Sequence, residues 1–167
     1  MKKNIVLVGM MGSGKSVIAK ALAERLQLPC YSTDELIEQK TKKSIKALVA
    51  SKGWEYFRSK EEQIVAQLAK KKGVIIDTGG GVILNPDNVR LLKKHGIIFF
   101  IKVGPAVIFE RIKDDKKRPL INVPNPLAEI RRIYKQRLPL YNQADVIVNA
   151  SVSIESAVAA IARKVVS

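Results

Sequence analysis

The stretch Lys3-Asn-Ile-Val-Leu-Val-Gly-Met-Met-Gly-Ser-Gly-Lys-Ser-Val-Ile-Ala-Lys-Ala-Leu-Ala23 decides how the rest of the chain is read. Ile5 to Val8 form a continuous apolar run, the pattern of a strand buried on both faces. Gly9 to Ser16 fit G-x-x-x-x-G-K-[ST]. From Val17 the period turns helical, with Ile18, Ala21, Leu22 and Leu26 on one stripe. A glycine-rich loop between a strand and a helix is a phosphate cradle. Its backbone N–H groups converge on the anion, and the helix presents its positive end to the same place. Lys15 adds a cation for the terminal phosphates, and Ser16 offers a hydroxyl to Mg²⁺. Gly12, Ser13, Gly14, Lys15, Ser16 and Val17 are therefore candidate nucleotide-binding residues. A dinucleotide-binding turn fits less well, because Val17 stands where a third glycine is needed.

At 167 residues the chain suits one domain with a substantial core, and nearly half of its residues are hydrophobic. No apolar run is long enough to span a bilayer. Met1-Lys2-Lys3 leads only into the short run before the loop, unlike a signal peptide. The single cysteine, Cys30, has no partner for an internal disulfide, and no zinc spacing occurs. A reducing cytoplasm is expected. The net charge of +15 invites a nucleic-acid reading, but 21 lysines to nine arginines are spread along the chain. Clusters such as Lys70-Lys71-Lys72 fall near expected helix ends, where cations favour the helix dipole. The expectation is a solvated basic surface with no nucleic-acid or membrane partner, on a protein that is a monomer.

Beyond the first helix, Leu28 to Thr33 reads as a second strand. Asp34 follows at its carboxyl end, either capping a helix or facing a substrate. Ser44 to Lys52 reads as a helix closed by Gly53, and Trp54 opens another reaching Lys72. On it Arg58 can pair with Glu61 or Glu62. Gly73 to Asp77 is a third strand, followed by Thr78-Gly79-Gly80-Gly81. Three consecutive glycines are entropically costly unless something must approach the backbone closely. Asp77 can orient Ser16 or a Mg²⁺-bound water, or cap the turn. Pro86 to His95 is a helix closed by Gly96, Ile97 to Val103 a strand, and Pro105 to Ile112 a helix. Lys113 to Asn125, polar and broken by Pro119 and Pro124, suits a mobile lid. Pro126 to Leu138 reads as a helix, Val146 to Val148 as a strand, and Ser153 to Val166 as a terminal helix. Alternating strands and helices imply an α/β fold, a parallel sheet covered on both faces with its site at the carboxyl strand ends.

These pieces together make the chain resemble shikimate kinase over essentially its whole length. The resemblance rests on the loop Gly9 to Ser16, Thr33-Asp34 with Glu38, Phe57-Arg58 with Glu61-Glu62, and Thr78 to Gly81. Arg118-Pro119-Leu120 and Arg137-Leu138-Pro139-Leu140-Tyr141 complete it and, with the glycine triplet, are its most specific parts. It implies a five-stranded parallel sheet ordered 2-3-1-4-5 and a single kinase domain over residues 1–167. The substrate-binding region would cover about residues 33–61 and the lid about 112–125. It implies transfer of phosphate from ATP, with Mg²⁺, to the 3-hydroxyl of shikimate in aromatic amino-acid biosynthesis. By motif, Asp34 would hold the substrate hydroxyls beside the attacking oxygen, with Lys15 and Arg118 as its catalytic partners. Arg58 and Arg137 would bind the substrate carboxylate, and Gly79, Gly80 and Gly81 would line the site. Arg118 would close over the ATP phosphates, and Arg111 would stack on adenine.

Two positions depart from the family pattern. An aspartate serving the Mg²⁺ shell through water usually stands two residues before Asp34, where this chain has Ser32. Asp77 is the candidate replacement, through water. The stretch Asn149 to Glu155 lacks the proline usual in the adenine loop. The alternatives are a related kinase for gluconate or a nucleotide, and a basic nucleotide-dependent nucleic-acid-binding protein. No Asn-Lys-x-Asp motif supports a GTPase switch.

Overall fold

A computed structural model describes residues 3–116 and 121–166. Five parallel strands form one sheet: β1 (Asn4–Val8), β2 (Cys30–Ser32), β3 (Ile75–Asp77), β4 (Gly96–Lys102) and β5 (Val146–Asn149). Their order is β2-β3-β1-β4-β5, so the apolar run of β1 lies at the centre, buried along its whole length. Register pairs Leu7 with Asp77 and Ser32 with Asp77, which brings three strand ends to one edge of the sheet. The helices are α1 (Lys15–Leu26), α2 (Thr33–Thr41), α3 (Ile45–Ala69), α4 (Pro86–His95), α5 (Pro105–Ile112), α6 (Pro126–Tyr141) and α7 (Ile154–Val166). α1 packs on α7 and β3, while α3 packs on α4 and α4 on β4, so helices cover both faces. Burying both faces explains why β1 and β4 read as unbroken apolar runs rather than alternating ones. No helix among the described residues is long and apolar enough to cross a membrane.

The local signals set most boundaries. Gly14, at φ 91°, turns the loop into α1. Ser44, Asn85 and Asn125 cap α3, α4 and α6 by accepting backbone N–H bonds, and prolines open α4, α5 and α6. Several expectations are corrected. β2 is only Cys30–Ser32, because Thr33 already begins α2, although pairing extends to Pro29, whose carbonyl accepts from Ile75 N at 2.8 Å. β3 begins at Ile75 rather than Gly73. The two helices expected on either side of Gly53 are present, meeting at the non-helical Gly53 (φ 83°), and are numbered together as α3. That element ends at Ala69, short of Lys72. Gly96 both ends α4 and opens β4.

α6 does not stop before Pro139 but continues to Tyr141. A proline there costs a helical hydrogen bond. Tyr141 offsets that loss: it is fully buried, stacks on Phe100 with ring centroids 4.8 Å apart, and donates its hydroxyl to Gly80 O at 2.6 Å. Between α5 and α6 the described residues carry neither α-helix nor strand.

Candidate functional site

The carboxyl edge of the sheet holds two chambers that share a wall. The first, about 250 Å³, is lined by Asp34, Arg58, Glu61 and Arg137, the glycines Gly79 to Gly81, and the apolar Met10, Met11, Ile45, Trp54, Phe57 and Ile133. The second, about 500 Å³, is lined by Gly12, Gly14, Lys15, Ser16 and Val17 of the loop, by Asp77, and by Arg111 and Ile154 at its far side. Met11, Asp34, Gly79 and Gly80 border both. A group bound in one chamber thus faces a group bound in the other across the Asp34 carboxylate.

Asp34 lies in the first turn of α2. It does not cap that helix. Ser32 does, accepting from Glu35 N at 3.3 Å, which leaves the Asp34 side chain for the chamber. Its Oδ1 is buried and makes no hydrogen bond to any described residue. Burial pushes its pKa above the ordinary carboxylate range, opposed by the nearby Lys15 cation and reinforced by the Asp77 carboxylate. A carboxylate so placed accepts a hydroxyl proton more readily than an ordinary one.

Arg58 pairs with Glu61 at 2.7 Å, not with Glu62, because α3 turns Glu61 inward and Glu62 to solvent. The guanidinium also lies over the rings of Trp54 and Phe57, at 5.5 and 5.1 Å. Glu61 is almost completely buried and its Oε2 makes no hydrogen bond to any described residue. Burial raises its pKa against the opposing pull of Arg58. Arg137, one turn before Tyr141 on α6, brings a second guanidinium to the same chamber. Two guanidiniums over a small, mostly apolar chamber make a receptor for a carboxylate on a compact polar molecule.

The glycine triplet has a steric reason. A Cβ on Gly79 would stand 2.6 Å from Asp34 Oδ1, and one on Gly81 would overlap the Arg58 guanidinium. The turn is pinned from three sides. Gly79 N donates to Thr33 Oγ1 at 2.9 Å, Thr78 Oγ1 to Leu7 O at 2.8 Å, and Tyr141 to Gly80 O. At Gly79 and Gly81 backbone thus forms the chamber wall where a side chain would displace the functional ones.

In the second chamber Lys15 Nζ donates to Met10 O at 3.1 Å, folding the loop over the head of α1. Ser16 Oγ donates to Asp77 Oδ2 at 2.6 Å. Asp77 is buried, and burial raises its pKa against the Ser16 hydrogen bond and Lys15. Ser13 sits behind the loop. Its N–H is taken by Met10 O and its carbonyl accepts from Arg111 at 3.1 Å, so it shapes the loop rather than lining the chamber. Arg111 also donates to Ala150 O at 2.8 Å, tying α5 to the segment after β5. Arg118 lies outside the described residues, with part of the expected lid. Glu61 and Tyr141 belong to the site although only their motifs drew attention to them. Helical spacing allowed the Arg58–Glu61 pair, whereas no local signal ties Tyr141 to Gly80.

The comparisons with known proteins agree. The family model described as shikimate kinase matches residues 11–167. The shikimate kinase of Caldicellulosiruptor saccharolyticus is 39% identical over 150 residues, covering 90% of this chain and 87% of that protein. That of Thermodesulfovibrio yellowstonii is 41% identical over 143 residues, covering 86% and 83%. Among solved structures, shikimate kinase from Acinetobacter baumannii in complex with shikimate superposes with a TM-score of 0.89 at 32% identity, covering 99% of this chain and 92% of that one. The enzyme from Aquifex aeolicus superposes with a TM-score of 0.85 at 35% identity, covering 96% and 94%.

Proposed function

Because the chain belongs to the shikimate kinase family and phosphorylates shikimate with ATP in aromatic amino-acid biosynthesis, we propose that its two chambers divide the reactants between them. The smaller takes shikimate and the larger takes ATP. The observation that carries this is the shared border at Asp34, flanked by two guanidiniums on one side and the phosphate loop on the other. In this reading Arg58 and Arg137 grip the shikimate carboxylate with charge-assisted bonds. Asp34 holds the ring hydroxyls, and takes the proton of the 3-hydroxyl as its oxygen attacks the γ-phosphorus and the bond from that phosphorus to the β–γ bridging oxygen breaks, releasing ADP. The transferring group is loosely bonded to both oxygens at that point, so catalysis is mainly positioning and neutralisation. The backbone N–H groups of Gly12, Gly14, Lys15, Ser16 and Val17 cradle the phosphates, Lys15 supplies a cation, and Arg118 closes over them with the lid at about residues 112–125. Arg111, fixed by the Ser13 and Ala150 carbonyls, forms a platform for adenine.

Mg²⁺ fits the donors present. The Ser16 hydroxyl and the Asp77 carboxylate are hard oxygen groups, and a magnesium ion bound with nucleotide draws its other ligands from phosphates and water. The ion would offset the charge that builds on the phosphates. Both chambers are built from one chain, which supports a monomer acting on small molecules alone, as one kinase domain with its substrate-binding region at about residues 33–61. The free Cys30 suits a reducing cytoplasm. A coupled ADP-release assay with shikimate, gluconate and nucleoside monophosphates side by side tests the assignment. Shikimate is expected to give the highest kcat/KM, and a higher value with either of the others would overturn it.

A further inference from the structure

The larger chamber has three carboxylates on its lining: Asp34, Glu35 and Asp77. Asp34 also borders the smaller chamber, where the acceptor is read to lie. Glu35 is exposed on α2, and its backbone N–H serves the Ser32 cap. Asp77 alone is buried and bonded to the loop, through the Ser16 hydroxyl at 2.6 Å. Its register partner on β2 is Ser32, an uncharged residue whose hydroxyl accepts from Glu35 N at 3.3 Å to cap α2. The sheet therefore offers two neighbouring strand ends to this position, and only the β3 end carries charge.

A serine hydroxyl has one proton and two lone pairs. When the proton is donated to Asp77, the rotor is fixed and the lone pairs are left for a cation. A carboxylate holding a ligand in this way also makes it a better donor. We propose that Asp77 is the positioning residue for the magnesium ion of MgATP, acting through Ser16 from β3, with no contribution from β2. The proposal rests on reading the larger chamber as the ATP site.

The test is the affinity of the protein–ADP complex for Mn²⁺, read from the free-ion signal in electron paramagnetic resonance. Asp77→Asn should weaken Mn²⁺ binding by about 10- to 100-fold. Metal-free ADP affinity and shikimate affinity should stay at the parent values. Asp77→Asn/Ser32→Asp should recover most of the loss, because the two positions are register partners. Ser32→Asp alone should change Mn²⁺ affinity little, since the role is already filled. Parent-like Mn²⁺ affinity in a folded Asp77→Asn protein would overturn the proposal. So would an equal loss of metal-free ADP binding, which would mark Asp77 as a prop for the loop. If Asp77→Asn does not fold, Ser32→Asp decides: a tightening of about tenfold or more would mean that the ion had lacked a second-sphere carboxylate. Failure of the unsubstituted protein to bind ADP would instead defeat the reading of the chamber itself.

Discussion

Replacing Arg58 with alanine should have two separable effects. Arg58 faces the smaller chamber and holds Glu61 at 2.7 Å. Losing one charge-assisted grip on the substrate carboxylate should cost about 2–3 kcal/mol, or about 30- to 150-fold in the Kd for shikimate. The second effect falls on the fold. The Glu61 side chain is 2% exposed, and without Arg58 it becomes a buried carboxylate lacking its ion-pair partner. Breaking a fully buried pair costs about 3–5 kcal/mol, but the Arg58 side chain is 33% exposed, so solvent screening cuts the expected loss to about 1–2 kcal/mol. For a chain of this size that is about 2–8 °C in Tm. Calorimetric titration and thermal melts of Arg58→Ala and Arg58→Ala/Glu61→Gln separate the two. The double variant should regain most of the Tm, because no buried charge is stranded, yet still bind shikimate weakly. ATP affinity should stay near the parent value throughout. Recovery of shikimate binding in the double variant, or an equal fall in ATP affinity, would refute the carboxylate grip.

Lys15→Ala should lower kcat by about 10²- to 10³-fold, because it removes a cation placed for developing phosphate charge; circular dichroism should show the fold intact, and near-normal turnover would contradict the role. Asp34, Glu61 and Asp77 all have pKa values raised by burial. The folded protein therefore binds more protons than the unfolded chain, and these groups' stability contribution is full below the ordinary carboxylate range of about 4 and declines as pH rises through their raised values. The Tm gap between Asp34→Asn and the parent should accordingly widen in favour of the variant from pH 4 upward, and a gap that narrows over that window would contradict the burial argument. The charge of +15 should give only weak binding to random DNA that vanishes by physiological salt; micromolar binding persisting there would point to a nucleic-acid partner.

What could be read from the sequence was what short-range chemistry determines. The buried run Ile5 to Val8, the loop Gly9 to Ser16, and the proline openings of the later helices all act within a few residues. Strand lengths were harder: β3 begins at Ile75 although the apolar run begins at Val74, and β2 gives way to α2 at Thr33. Ser32 and Asp34 are both good capping types, and the position of Glu35 N decides between them only once α2 exists. Pro139 reads as a stop, and the helix passes it because Tyr141 finds Phe100 and Gly80 from distant parts of the chain. The same holds for Ser16 and Asp77, 61 residues apart and bonded only because β3 lies beside β1. The family motifs named Asp34, Arg58, Arg137 and Gly79 to Gly81, which the fold brings to one chamber. What the folded chain adds is the division of the site into two chambers and the carboxylate between them.

That carboxylate bears the central claim. Rapid-quench measurement of phosphoryl transfer from ATP to shikimate in Asp34→Asn tests it most directly, with both ligands saturating. The account predicts a transfer rate lower by about 10²- to 10⁴-fold, while both ligands still bind. A folded Asp34→Asn protein that transfers the phosphoryl group at the parent rate would contradict it.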